Sequence, residues 1–341
     1  MTDTTAYTYE APAKLMLQRT RTLHVLIPGG AGHLGRLVAG HLDAAGSAVT
    51  VLSRSGAVAP WQVVSWNGID SDDWTRVLEG ADVVINLAGR SVNCRYNAGN
   101  RREILESRIR TTELLGEAIR SLRRPPRLWI NASTATIYRH SLDREMDEAS
   151  GELGGHESGA PDSWCFSIEV ATRWEKAFFE ANTPHTRKIA LRSAMVMSAE
   201  CRGTFDTLLR LVRFGLGGAC GSGQQFMSWI HADDFVRALD YLVEHEEFEG
   251  PVNVASPNPL PNEDFMRMLR EAWGARVGIP ASEWMLEVGA FFLRSETELI
   301  LKSRRVVPGL LRASGFKFLF PEWRGAAEDL VQRWRRQAYE V

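Results

Sequence analysis

The chain has 341 residues, more than one average domain, with a net charge of −2 and 24% charged residues. Balanced acids and bases leave no electrostatic footprint for nucleic acid or an anionic membrane surface, and the pairs Arg101-Arg102 and Arg304-Arg305 read as solvated faces. Four cysteines, Cys94, Cys165, Cys201 and Cys220, lack any CxxC spacing. That points to a reduced, cytoplasmic setting without a structural metal.

No run approaches the roughly 20 apolar residues that cross a bilayer. Residues 1–22 carry no apolar signal core and read as an extension. From Leu23 to Ser53 the pattern is strand, glycine turn, amphipathic helix, strand. Gly29, Gly32 and Gly35 fall as GxxGxxG directly after Val25-Leu26-Ile27. Such a turn lets backbone approach a pyrophosphate, whose charge then sits on the N-terminus of the helix begun near His33. The second strand ends in Ser53-Arg54 with no carboxylate. A carboxylate there would accept from a ribose 2′-hydroxyl and repel a 2′-phosphate, whereas a hydroxyl and a guanidinium can hold one. NADP(H) is the expected cofactor.

A short apolar segment (Trp61 to Trp66), a helix around Asp72 to Leu78, and an apolar strand (Asp82 to Leu87) ending in NLAG come next. Arg101 to Leu122 has helical periodicity, Arg127 to Ala132 is a strand running into STATIY, and a polar loop covers Gly151 to Asp162. Glu169 to Ala181 reads as a helix and Lys188 to Met197 as a strand. Continuous apolar strands separated by helices imply a parallel sheet covered on both faces, with ligands at the carboxyl ends of the strands. After about Gly203 helices dominate; Asn262 and Ser282 are expected N-caps, and Asp233-Asp234 are expected to cap the helix Phe235 to Val243. The expected division is an extension at 1–22, a nucleotide-binding domain at 23–202 with return segments about 226–257, and a substrate lobe at 203–341.

GGAGHLG, NLAG and STATIY together resemble the extended short-chain dehydrogenase/reductase superfamily, and ILESRIRTTELL, GSGQQFMSWIHADDF, GPVNVASPNP and KSRRVVPGLLRASGFKFLFP resemble its atypical "epimerase family" subgroup. The resemblance spans Leu23 to Leu330. It implies a Rossmann-type α/β fold, a doubly wound parallel sheet with a smaller, mainly helical C-terminal substrate lobe. It also implies that His33 and Leu34 meet the pyrophosphate with their backbone, and that Ser53 and Arg54 meet the 2′-phosphate. Leu87, Ala88 and Gly89 would border adenosine and ribose, with Arg108, Glu103, Ser133 and Met195 as further cofactor contacts.

The superfamily's chemistry uses a Ser/Thr, a Tyr and a Lys four residues after the Tyr. Thr134 takes the first place, but the segment that should carry YxxxK reads SWCFSIEVA. Either Phe166 with Val170 or Ser167 with Ala171 stands there, and both the phenol and the ammonium are missing. Replacement proton donors are Tyr96, in a loop that would cover the nicotinamide, and Tyr138, with Glu169 and His231 behind them; Trp229 falls in a substrate-lobe motif. Three readings follow: an NADP(H)-dependent oxidoreductase acting on a small carbonyl or alcohol, a nucleotide-sugar epimerase or dehydratase that recycles its cofactor, or a non-catalytic NADP(H)-binding redox sensor. The expected partner is a small-molecule substrate, with no nucleic acid and no membrane, and a homodimer left open.

Overall fold

The computed structural model describes residues 22–54, 56, 58–68, 74–201, 203–282 and 298–339; the N-terminal extension and the helix expected from Ser282 lie outside them. The first strand, β1 (His24–Pro28), is buried along most of its length and turns through Gly29 into helix α1 (His33–Ala44). There follow β2 (Ala48–Ser53), β3 (Gln62–Ser65), the short α2 (Thr75–Leu78), β4 (Val83–Asn86), α3 (Ala98–Ser121) and β5 (Leu128–Thr134). The second half runs α4 (Asp162–Glu180), β6 (Arg187–Ser193), β7 (Met195–Met197), α5 (Thr204–Arg213), β8 (Phe226–Met227), β9 (Trp229–His231), α6 (Ala232–Glu244), β10 (Gly250–Val254), β11 (Leu260–Pro261) and α7 (Asn262–Trp273).

Seven strands form one parallel sheet in the order β10-β6-β5-β4-β1-β2-β3. The order reverses between β1 and β4, so a crevice opens above their carboxyl ends. Strands such as Val83–Asn86 are apolar on both sides because helices cover both faces. On one face α1 and α6 pack together over β1 and β4, joined by buried His41 Nε2 and Asp240 Oδ2 at 2.5 Å. On the other, α3 and α4 pack over the β5 residue Trp129, which Phe178 of α4 meets edge-on at 4.7 Å.

A second apolar core lies outside the sheet. It joins α5, α7 and the helix Trp323–Tyr339, with Trp229 fully buried against Trp323 at 4.9 Å between ring centroids. Trp229 is therefore a core residue rather than a platform for a ligand. The return of the chain through α6 and β10 places the last strand of the main sheet beside β6.

Several expected boundaries shift. Helix α4 starts at Asp162, seven residues before Glu169, so the SWCFSIEVA segment is helical. The expected strand Lys188 to Met197 breaks at Ala194 into β6 and β7, and β7 pairs with β9 instead of continuing in the main sheet. Helix α7 does begin at Asn262, but Asn262 is not its cap: its Oδ1 accepts from the backbone N–H of Cys220 at 2.8 Å. Asp233-Asp234 do not cap α6 either. The cap is His231, whose Nδ1 accepts from the Asp233 N–H at 3.1 Å. Asp234 instead accepts from the Leu319 and Phe320 N–H groups, both at 2.8 Å, and Asp233 pairs with Arg333, so both carboxylates tie the C-terminal segment down.

Candidate active site

The floor of the crevice is the β1–α1 turn. Gly29 has φ +79°, and a Cβ on it would stand 2.7 Å from the backbone of Ala88. The two loops at the switch point thus pass in near contact, which only glycine permits. A Cβ on Gly35 would strike the backbone of Gly30 at 2.4 Å, so α1 leaves the turn tightly against it. Gly30, absent from the GxxGxxG reading, is as tightly confined, against Val51 at 2.7 Å. Gly32, the N-cap of α1, has room around it and no side chain caps the helix. The first N–H groups of a helix find no acceptor within it, so the backbone of His33, Leu34 and Gly35 presents donors and the positive end of the helix dipole here. The His33 ring bridges away from that end, with Nε2 2.9 Å from Ser198 Oγ and Nδ1 3.1 Å from Glu200.

Beside it, the loop Leu87-Ala88-Gly89 is shaped by a buried amide network. Asn86 donates to Asn131 at 2.7 Å and accepts from the Ala88 N–H at 3.1 Å. Thr112 accepts from the Trp174 indole at 2.9 Å, which joins this network to α4. On the far side of β1, Ser53 is buried at the end of β2 and Arg54 after it is exposed. No carboxylate stands at that strand end.

Helix α3 brings Arg108 under the β4 loop. Its Nη1 donates to the carbonyls of Arg90 and Ile104, both at 3.0 Å, and the guanidinium lies 5.1 Å from the centroid of Trp174. A Cβ on Gly89 would stand 3.2 Å from Arg108 Cζ, so Arg108 reaches the loop expected to border the ribose. Burial lowers its pKa to about 10, opposed by Tyr96 and Cys94, and it stays cationic at neutral pH. Glu103 is committed to an ion pair with Arg90, which also donates to Asn100 Oδ1 at 2.8 Å. Glu103 thus stands one step behind the loop rather than at its lip.

At the end of β5 two neighbouring residues part ways. Ser133 faces inward and donates to Glu175 Oε1 at 2.6 Å. Glu175 forms a bidentate, buried pair with Arg192, and Arg192 donates to the Tyr138 hydroxyl at 2.9 Å, which in turn donates to Asn253 at 3.0 Å. Burial alone would lower the Arg192 pKa, but hydrogen bonds and charge from Glu175 raise it. Tyr138 is 1% exposed, and burial raises its pKa against the opposing pull of Arg192. Its hydroxyl is committed beneath the crevice. Thr134 is half-buried, and its Oγ1 accepts from the Thr136 N–H at 3.1 Å. That bond leaves the Thr134 hydroxyl proton available to a substrate oxygen. Met195, half-buried in β7, lies across from Trp229.

On α4, Phe166 and Val170 are buried in an apolar cluster with Ile104, and Phe166 stacks edge-on against Tyr96 at 5.0 Å. Ser167 is the polar position: its Oγ is 3.3 Å from the Tyr96 hydroxyl and donates to Glu298. Of the two alignments of the missing dyad, Ser167 with Ala171 is the one whose first residue meets polar groups. Glu298 comes from the C-terminal segment with Lys302 and Arg304, which are 0% and 5% exposed. The expectation of a solvated Arg304 is therefore wrong. Its Nε donates to Thr136 Oγ1 at 3.2 Å and its Nη2 stands 3.7 Å from Glu298, while Lys302 donates to the Thr136 carbonyl at 2.8 Å. Burial and the neighbouring Arg304 push the Lys302 pKa down to about 8. The KSRR motif carried these cations in plain view, but nothing in its local pattern marks them as buried.

Glu169 pairs with Arg173 on the exposed face of α4, and His231 also meets Asp329 at 3.1 Å. Among the described residues no cluster of His, Cys, Asp or Glu could hold a metal ion, and no helix is long and apolar enough to cross a membrane.

A parallel sheet with a glycine turn at its switch point and an uncapped helix behind that turn defines a dinucleotide-fold protein. Residues 25–158 match the NAD dependent epimerase/dehydratase family, and residues 281–330 match a domain of unknown function, DUF1731. The chain belongs to the epimerase family of the short-chain dehydrogenase/reductase superfamily. The human "Epimerase family protein SDR39U1" is 31% identical over 317 residues, covering 91% of this chain and 100% of that protein. The Staphylococcus saprophyticus "Epimerase family protein SSP1921" is 31% identical over 310 residues, covering 90% and 99%. The crystal structure of human SDR39U1 (isoform 2) with NADPH superposes with a TM-score of 0.79 at 30% identity, covering 90% of this chain and 99% of that one. A nucleoside-diphosphate sugar epimerase from Corynebacterium glutamicum gives 0.69 at 26% identity, covering 94% of this chain and 62% of that one.

Proposed function

We propose that this protein is an NADP(H)-dependent oxidoreductase acting on a small carbonyl or alcohol substrate in the crevice above β1, β4 and β5. The observation that carries the reading is the β1–α1 turn. Its glycines bring two loops into backbone contact, and the uncapped end of α1 faces the gap with no competing side chain. That cradle fits a pyrophosphate. Arg54, at a strand end without a carboxylate, suits a 2′-phosphate, and the relative crystallised with NADPH supports the same choice. Arg108 would reach the ribose side through Gly89.

A bound nicotinamide would supply or accept hydride. The residues of the chain would hold the substrate: Thr134 would donate to the substrate oxygen, with the half-buried Met195 and buried Ala194 beside the nicotinamide. Arg54→Asp is expected to weaken NADPH binding at least about tenfold more than NADH binding, because a carboxylate would then face the 2′-phosphate. Fluorescence titration of both cofactors measures this. Equal loss for both would remove the 2′-phosphate assignment.

A further inference from the structure

We propose that the proton missing from α4 is supplied by Tyr96, through a hydrogen-bonded path Tyr96–Ser167–Glu298 whose last member is delivered by the C-terminal segment. The inference rests on the reading above that hydride chemistry occurs in this crevice.

Three observations place Tyr96 correctly. Ser167 stands where one alignment puts the absent tyrosine, and the Tyr96 hydroxyl lies 3.3 Å beyond the Ser167 Oγ. Serine side chain and hydrogen bond together span about the reach of a tyrosine's own side chain, so a phenol from a different loop stands about as far from α4 as the absent one would. Tyr96 is held there by Phe166 at 5.0 Å and by Arg101, whose Nε donates to the Tyr96 carbonyl at 2.9 Å and whose guanidinium covers the Phe166 ring at 4.8 Å. It also interacts electrostatically with two buried cations. One is Arg108, which touches Gly89 of the cofactor loop; the other is Arg304, which bonds Thr136 next to the Thr134 turn. The phenol thus interacts with one cation that reaches the Gly89 loop and with another that bonds beside the Thr134 turn.

The donor order fits a relay. Ser167 donates to Glu298, so Tyr96 can donate to Ser167. In alcohol oxidation the substrate hydroxyl proton passes to the Tyr96 oxygen as Tyr96 releases its own to Ser167 and Ser167 releases its own to Glu298. Three O–H bonds break and three form, one proton ends on the Glu298 carboxylate, and the carbinol hydride leaves to the oxidised nicotinamide. Reduction runs the same path from a protonated Glu298. Tyr96 is the catalytic residue; Ser167 and Glu298 are positioning residues. The titratable and charged groups around the path are Arg101 and Arg108 from α3, the Cys94 thiol from the loop of Tyr96, the Cys165 thiol from α4, and Lys302 and Arg304 from the C-terminal segment.

The test uses the full chain with its six tyrosines replaced by 3-fluorotyrosine and saturated with NADP+, followed by fluorine NMR against pH. Tyr96→Phe identifies the Tyr96 signal. Glu298→Gln is expected to lower the Tyr96 pKa by about one unit, because it removes an anion one hydroxyl away. Ser167→Ala, which removes a single oxygen and spares the fold, is expected to shift the same signal alone. A Tyr96 signal that titrates identically in both variants and the parent overturns the relay. In parallel, NADPH oxidation is followed with a panel of simple aldehydes, ketones and quinones. Tyr96→Phe is expected to lower kcat about a hundredfold with NADPH affinity unchanged, and an unchanged kcat overturns the role of Tyr96. A panel that the parent does not turn over counts against the oxidoreductase reading, while the fluorine titration still decides the path.

Discussion

The two sides of the crevice are made of different material. The cofactor side is backbone: the N–H groups of α1, the Gly29 turn and the Ala88 loop, which passes so close that a Cβ on Gly29 would stand 2.7 Å from it. The opposite side is a set of buried polar side chains drawn from β5, α4, β6 and residues 298–304. A backbone cradle is rigid and indifferent to neighbouring sequence. A side-chain network is adjustable, but each charge in it must be matched or the fold suffers.

That contrast can be broken at its most expensive point first. Arg192→Met leaves Glu175 buried without its cation and is expected to destabilise the protein by about 3–5 kcal/mol, read by urea unfolding. A cost below about 1 kcal/mol would mean the network is not what holds β5 to α4. Lys302 gives a pH signature. Because its folded pKa of about 8 lies below the ordinary 10.5, the unfolded chain binds more protons between those values. Stability should therefore rise with pH across that window, by about 3 kcal/mol, with the penalty full below pH 8 and absent above 10.5. Lys302→Met should flatten that rise in a comparison of unfolding curves at pH 7.5 and 10. An identical rise in both proteins would place the titration elsewhere.

On the cofactor side, Gly29→Val puts a branched side chain at positive φ against the Ala88 backbone. The strain is about 1–3 kcal/mol, and NADPH affinity should collapse even where the protein stays folded at low temperature. Retained affinity would show that the two loops separate without consequence. The smallest effect on folding belongs to Thr134→Ala, which removes the bond from the Thr136 N–H at about 1 kcal/mol. Calorimetry should report that small loss while turnover falls and NADPH affinity stays. Unchanged turnover would take Thr134 out of the chemistry.

The same division explains what could be read in advance. Helices and strands with strong apolar periodicity were legible, and so were the glycine turn and the strand end at Ser53-Arg54, because each is local. The start of α4 at Asp162 was hidden behind Pro161 and a glycine-rich approach, where composition suggests a loop. The cap of α6, His231, is masked in the sequence by the two aspartates beside it; both are taken by partners about a hundred residues or less away, at Arg333 and Leu319-Phe320.

By itself the sequence determined the parallel α/β sheet, the place of the dinucleotide turn and the absence of the phenol and ammonium from α4, since strand burial, backbone freedom and residue identity are local properties. Only the tertiary structure decided what stands in that gap. Ser167 and Glu298 are 131 residues apart, as the bond between them spans that separation, and Lys302 and Arg304 look like surface cations until the segment carrying them is folded under Thr136. Burial of a charge depends on what closes over it, and no stretch of chain specifies that alone.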